Sequence, residues 1–139
     1  MNPILICNNL VKRYSYQQAL GGVNLTLERG RIIGLLGPNG SGKTTLIKLA
    51  SGLLVPTGGE ILVGGMAPGV ETKKLVSYLP ERTYLNPWKR VSALLHFFED
   101  FYKAFDKVTV YEMLPRLTIN PAARLQNMSN GTNDKVKLI

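Results

Sequence analysis

Between residues 23 and 28, Val23, Leu25 and Leu27 alternate with Asn24, Thr26 and Glu28. A period of two puts one set on each face of an extended chain, so this predicts a half-buried antiparallel strand. Upstream, Ile4-Leu5-Ile6-Cys7 reads as another strand, with Cys7 as a small buried hydrophobe. Glu28 to Arg31 turns the chain. The alternation is then lost: Ile32-Ile33-Gly34-Leu35-Leu36 is continuously apolar, the pattern of a strand buried on both faces. Residues 44–52, TTLIKLASG, predict a helix with Gly52 as its C-terminal stop. Pro56 to Gly59 predicts a turn, Glu60 to Val63 a short strand closed by Gly64-Gly65, and Leu75 to Leu79 another strand ended by Pro80.

Farther along, the period changes. In residues 91–105, Leu94, Leu95, Phe98, Phe101, Tyr102 and Phe105 recur at helical spacing and form one apolar face. Asp106 is placed to cap a following helix that runs toward Leu117, with Pro115 expected to kink it or end it early. Asn120-Pro121 breaks the chain, and Ser129 is placed to cap a last helix reaching Ile139. Thirteen of the 14 glycines precede residue 70, and nine of the 11 aromatic residues follow it. The first half therefore reads as strands and tight turns, the second as helices packed on aromatic side chains. No internal repeat, low-complexity segment or flexible linker is visible.

Composition narrows the class. At 139 residues, with 45% apolar and 19% charged, the chain suits one globular domain rather than a disordered or fibrous protein. No apolar run approaches the roughly 18 to 20 residues that span a bilayer. MNPILICNNL lacks a basic start followed by a long apolar stretch, so no secretory signal is expected. The single cysteine precludes an internal disulfide and fits a reducing compartment. The net charge of +8, 17 basic against 9 acidic side chains, admits nucleic acid, an anionic membrane surface or a polyphosphate as partner. Residues 1–70 carry six basic and two acidic groups and residues 71–139 carry eleven and seven, so each half is +4. That even spread favours a solvated basic surface over a nucleic-acid face.

The chemistry is concentrated in GPNGSGKTT, residues 37–45. Gly37, Gly42, Lys43 and Thr44 satisfy G-x-x-x-x-G-K-[ST]. A loop between a strand and a helix can turn successive N–H groups inward to make an anion nest. Glycine permits close approach and positive φ, and the helix adds its positive end. Pro38, Asn39, Gly40 and Ser41 complete the cradle. Lys43 is expected to reach the β- and γ-phosphates, Thr44 to place its hydroxyl on Mg²⁺, and Thr45 to touch the α-phosphate. A chain of this length matches by chance roughly once in a hundred. An apolar run before the motif and a helix after it favour a nucleoside triphosphate site over a glycine-rich turn with an incidental lysine.

With these features the whole chain resembles the nucleotide-binding domain of ABC transporters. The resemblance rests on four segments in order. Tyr14, in LVKRYSYQQALGGVNLTLERG, lies 29 residues before Lys43, where the family stacks an aromatic ring on adenine; Tyr16 is the competing ring. ASGLLVPTGGEILVGG looks like the family's continuation after the first helix. VSYLPE, residues 76–81, stands where the family has a loop usually carrying glutamine, which binds Mg²⁺, serves the attacking water's site and touches the membrane subunit. Here the residue is Glu81, whose carboxylate can also ligate Mg²⁺. MSNGT, residues 128–132, resembles the signature LSGGQ: Ser129 and Gly131 align, whereas Asn130 and Thr132 depart.

The resemblance implies an α/β P-loop NTPase fold of the ABC ATPase type. Residues 1–80 would form the ATP-binding core with an antiparallel β-subdomain, an incomplete RecA-like core. Residues 81–128 would form a helical subdomain, and residues 128–139 the start of the signature helix. It implies ATP and Mg²⁺ as ligands and a homo- or heterodimer in which Ser129, Asn130 and Gly131 grip the partner's ATP. A transmembrane permease subunit would dock around residues 81–105, placing the protein on the cytoplasmic face of the cell membrane. Nucleic acid is not expected. The family also needs an apolar strand ending in Asp-Glu and a later histidine. None of the nine acidic residues follows such a strand, and His96, the only histidine, precedes the signature. The expectation is therefore a truncated domain in which Lys43 and Glu81 are the catalytic residues present, with ATP binding and little or no hydrolysis. A non-hydrolysing nucleotide-binding module and a nucleic-acid- or ribosome-associated ABC ATPase are the alternatives.

Overall fold

The computed structural model describes residues 3–80 and 84–139. The chain forms two compact units, Met1–Tyr78 and Leu79–Ile139.

In the first unit, β1 (Pro3–Tyr14) and β2 (Gln17–Glu28) form an antiparallel hairpin across Ser15-Tyr16. The alternation at Val23–Leu27 lies in β2 as expected, with Asn24 and Thr26 exposed and the apolar set turned inward. β3 (Gly58–Val63) pairs on the other edge of β1, giving the order β2-β1-β3. Both Cys7 and Leu10 are buried, although three positions apart cannot share a face in a regular strand. A bulge reconciles them: Cys7 faces Leu25 and Leu10 faces Val23, and the extra residue is absorbed at Asn9, whose φ is 46°. Burial pushes the Cys7 thiol up from its usual pKa, so it sits as an inert apolar group.

Helix α1 (Lys43–Ala50) lays Leu46 and Leu49, one turn apart, on Cys7, Leu10, Leu20 and Ile61. Gly52, at φ 68°, ends it as expected: its N–H donates to the Leu49 carbonyl (3.0 Å) and the Leu53 N–H to the Lys48 carbonyl (2.9 Å).

Two expected strands are not present. Ile32–Leu36 has no regular structure and is solvent-exposed, Ile32 by 105% and Leu36 by 93%. Thr72–Lys74 is a 3-10 turn, and residues 76–80 are irregular. Apolar content drives burial, but a strand also needs a neighbour to accept its ladder of hydrogen bonds. Among the described residues no segment pairs with either run.

In the second unit, α2 (Val91–Phe101), α3 (Lys107–Arg116) and α4 (Asn130–Leu138) enclose Leu85, Val91, Leu94, Leu95, Val110, Leu114, Ile119, Leu125 and Val136. α2 is shorter than the 91–105 expected. Its inward stripe, Val91, Leu94, Leu95 and Phe98, ends as Tyr102 turns to extended backbone (φ −114°, ψ 107°). Phe101 and Tyr102 are consequently exposed, whereas Phe105 still packs on the core from beyond the helix. Phe101 instead lies against Phe97, with ring centroids 4.6 Å apart.

Asp106 caps α3: its carboxylate accepts from the Thr109 hydroxyl (2.6 Å) and the Thr109 N–H (3.2 Å), bonds that hold its pKa below the usual carboxylate range. Pro115 sits inside the last turn and neither breaks the helix nor ends it before Arg116. The helix then stops without glycine. Thr118 takes φ 59°, its N–H donating to the Pro115 carbonyl (3.1 Å) and that of Ile119 to the Leu114 carbonyl (2.9 Å). A β-branched residue is strained in that conformation by about 1–2 kcal/mol. Thr118 is exposed and contributes little packing. Thr118→Gly is therefore expected to raise the melting temperature by a few degrees in a calorimetric scan.

Candidate functional site

The glycine-rich segment runs from Gly37 into α1. The Ser41 N–H donates to the Pro38 carbonyl (3.2 Å), closing a turn over Asn39-Gly40 in which Gly40 has φ 83°. Gly42 follows at φ 90° and is the residue before the first helical turn. No side chain caps α1, and its first turn contains no acidic residue. The leading N–H groups of a helix have no intrahelical acceptor, and here no side chain supplies one. Together with the positive end of the helix they give this end of α1 the donors and polarity that suit an anion.

The Lys43 ammonium lies across the same loop. Its Nζ donates to the Gly37 carbonyl (2.7 Å), the Pro38 carbonyl (2.8 Å) and Ser41 Oγ (3.4 Å). All three acceptors are neutral, so no carboxylate among these bonds cancels its charge. Thr44 is exposed and Thr45 half-buried on the first turn. A hydroxyl is a hard oxygen donor of the kind Mg²⁺ takes, and Mg²⁺ needs few protein ligands because it keeps waters and phosphate oxygens. The donor set thus fits a magnesium-bound polyphosphate.

The loop is held against the hairpin. A Cβ on Gly42 would lie 2.5 Å from the Ala19 carbonyl oxygen and 2.7 Å from Leu20 Cδ2. Tyr14, at the end of β1, is paired with Gln17 of β2, three residues from Leu20. At a strand rise of about 3.3 Å per residue, that separates the ring's strand position from the loop by roughly 10 Å. Tyr14 is 43% exposed, and Lys12 Nζ lies 5.4 Å from its ring centroid while donating to the Val55 carbonyl (2.7 Å). Tyr16, in the hairpin turn, is fully exposed. Sequence reasoning missed Lys12, which a cation two positions before an aromatic on one strand face could have signalled.

Glu81 lies outside the described residues. Ser129 to Gly131 lie at the start of α4, in the second unit. Ser129 Oγ accepts from the Thr132 N–H (3.2 Å) and shares a hydrogen bond with the Thr132 hydroxyl (2.9 Å). Thr132, a departure from the signature pattern, is thus a working part of the cap. Asn130 and Gly131 are exposed, and a Cβ on Gly131 would meet nothing within 4 Å. His96 is exposed. Among the described residues no helix is long and apolar enough to cross a membrane.

The chain is similar to known proteins both in sequence and in fold. Residues 20–139 match the family model for ABC transporters. The zinc import ATP-binding protein ZnuC of Yersinia enterocolitica is 31% identical over 143 residues, covering 99% of this chain and 52% of its own length. The SkfA peptide export ATP-binding protein SkfE of Bacillus subtilis is 41% identical over 80 residues, 57% of this chain and 34% of its own. The chain thus spans about half or less of the curated relatives it matches. A putative ABC transporter ATP-binding protein from Pyrococcus furiosus superposes with a TM-score of 0.80 at 29% identity, over 96% of this chain and 67% of that one. An ATP-binding subunit of an ABC transporter does so at 0.79 and 27%, over 97% and 60%. An uncapped helix start behind a glycine turn, a lysine bonded across that turn and a family match over residues 20–139 converge: the chain belongs to the ABC transporter family, in its ATP-binding domain.

Proposed function

We propose that the chain binds MgATP as part of the ATP-binding subunit of a membrane transporter. The observation that carries this reading is the uncapped start of α1 with the Lys43 ammonium held on the adjoining glycine-rich loop by neutral acceptors. The amides of the Pro38–Gly42 turn and of the first helical turn cradle the phosphates, Lys43 pairs with the β- and γ-phosphates, Thr45 meets the α-phosphate, and Thr44 would hold Mg²⁺. The metal supplies charge neutralisation on the phosphates when bound. Tyr14 stacks on adenine. Glu81 is assigned to Mg²⁺ and the attacking water.

At the other end, Ser129, Asn130 and Gly131 are assigned to the γ-phosphate of an ATP held by a second nucleotide-binding domain, identical or not. The open space at Gly131 supports this, since a partner's phosphate can approach the backbone there. A membrane-embedded permease subunit is the partner that ATP-driven closure would move, and it places the protein at the cytoplasmic face. The 139 residues contain no apolar strand ending in Asp-Glu. The chain by itself is therefore assigned nucleotide binding with little or no hydrolysis, and turnover belongs to an assembly that contains such a pair. Relatives named for import and for export match about equally, so no cargo is assigned.

The test is a titration with a fluorescent ATP analogue in the presence of Mg²⁺. Micromolar binding is expected, and Tyr14→Ala is expected to weaken it by about 1–2 kcal/mol, roughly 5- to 30-fold, the scale of one lost aromatic stacking contact. Tyr16→Ala should leave it unchanged. The reverse ranking would transfer the adenine contact to Tyr16, and no binding at all would defeat the reading.

A further inference from the structure

Residues 86–91 and 121–126 run antiparallel as a short ribbon ahead of α2. The Leu125 N–H donates to the Lys89 carbonyl (3.2 Å) and the Val91 N–H to the Ala123 carbonyl (3.1 Å). These bonds flank Arg90 and Arg124, which form an isolated antiparallel bridge. This is the non-hydrogen-bonded kind of pair, in which opposed side chains come closest. Two guanidinium groups are thus rooted side by side, and Lys89 adds a third cation next in the chain. All three residues are exposed. The ion pairs among the described residues, Lys74–Glu71, Lys107–Glu99 and Lys137–Asp134, include none of them.

Like charges placed directly opposite weaken a ribbon, so the fold gains nothing from this pairing. The arginine fork, however, matches a carboxylate. The backbone does not compete for the anion, because the first two amides of α2 already donate to the Ala123 and Pro121 carbonyls. Trp88, immediately before Lys89, is 67% exposed. Tryptophan and arginine are the residue types that dominate affinity at protein interfaces.

We infer that Arg90 and Arg124, with Lys89 and Trp88 beside them, form a docking site for an acidic peptide segment of a partner protein. One carboxylate lodges between the two guanidinium groups, and an apolar neighbour packs on the indole. The inference rests on the transporter reading and deepens it: the membrane-embedded partner is expected to present Asp or Glu here. An anionic lipid surface fits less well, since three clustered cations fall short of the roughly four to eight that hold a protein on such lipids.

Trp88 is the only tryptophan in the chain, so its fluorescence reports this site directly. The full chain would be titrated with two short synthetic amphipathic peptides, identical except for a central Glu or Gln. It would also be titrated with phosphatidylcholine vesicles with and without phosphatidylserine. The Glu peptide is expected to bind about tenfold or more tighter than the Gln peptide. Arg90→Glu combined with Arg124→Glu should erase that preference. Arg90→Ala should leave the melting temperature unchanged or raise it, because it relieves a like-charge contact. Equal or absent binding of the two peptides overturns the inference, as does a Trp88 response confined to phosphatidylserine vesicles. A drop of several degrees in Arg90→Ala also overturns it, by making the pair structural. Nucleotide affinity measured on the same samples separates the two levels. Intact MgATP binding without a peptide preference defeats this site alone, whereas absent MgATP binding defeats the transporter reading beneath it.

Discussion

Lys43→Ala is expected to lower the affinity for MgATP by roughly 10- to 150-fold, the equivalent of about 1.5–3 kcal/mol for hydrogen bonds to a charged group. The fold should hardly notice. The Lys43 ammonium bonds only to two loop carbonyls and Ser41 Oγ, all exposed. Once the side chain is gone, those acceptors return to water, which replaces such bonds at little net cost. The combination distinguishes a ligand-binding lysine from a loop staple. A calorimetric scan without nucleotide should match the parent, while the stabilisation that saturating MgATP gives the parent should largely disappear. Unchanged affinity would remove the phosphate site from Gly37–Thr45.

Gly42→Ala is expected to damage both the fold and the site. The added methyl group would sit 2.5 Å from the Ala19 carbonyl oxygen, a backbone atom that cannot rotate aside, and 2.7 Å from Leu20 Cδ2. The residue also has φ 90°. Strain of about 1–2 kcal/mol from the dihedral and about 1–3 kcal/mol from overpacking should lower the melting temperature of the first unit by ten degrees or more. Any relief pulls α1 off β2 and misaims its leading amides, so nucleotide binding should fall as well. Gly40→Ala is the control. Gly40 shares the positive φ, at 83°, but a Cβ there meets nothing within 4 Å. It should cost about 1 kcal/mol and leave the helix start in place. If the two variants melt alike, the contact with β2 is not what positions the loop.

Lys43 and Gly42 differ in how far a local pattern specifies them. The role proposed for Lys43 comes from spacing alone, because a phosphate cradle requires glycines, a cation and a hydroxyl within a short stretch of chain. The role of Gly42 is only half legible. The motif asks for glycine on account of φ, but the carbonyl it must clear belongs to Ala19, brought there by the pairing of β2 with β1. Similarly, the caps at Asp106 and Ser129 could be read locally, since each acts on an amide three residues ahead. The end of α3 could not. Nothing in Leu117-Thr118-Ile119 announces a left-handed residue, and Thr118 adopts it so that Ile119 can enter the core.

By itself, then, the sequence determined the alternation of β2, the inward stripe of α2, the caps at Asp106 and Ser129 and the spacing of the glycine-rich motif, all set within a few residues. Only the tertiary structure decided which apolar runs became strands. β2 has β1 beside it, whereas Ile32–Leu36, more continuously apolar, has no partner among the described residues and stays irregular. Tertiary structure likewise decided which cations ended face to face. Arg90 and Arg124 lie 34 residues apart in sequence and meet only because two backbone segments share hydrogen bonds. The physical reason is common to both: a ladder needs two strands, and a local pattern specifies only one of them.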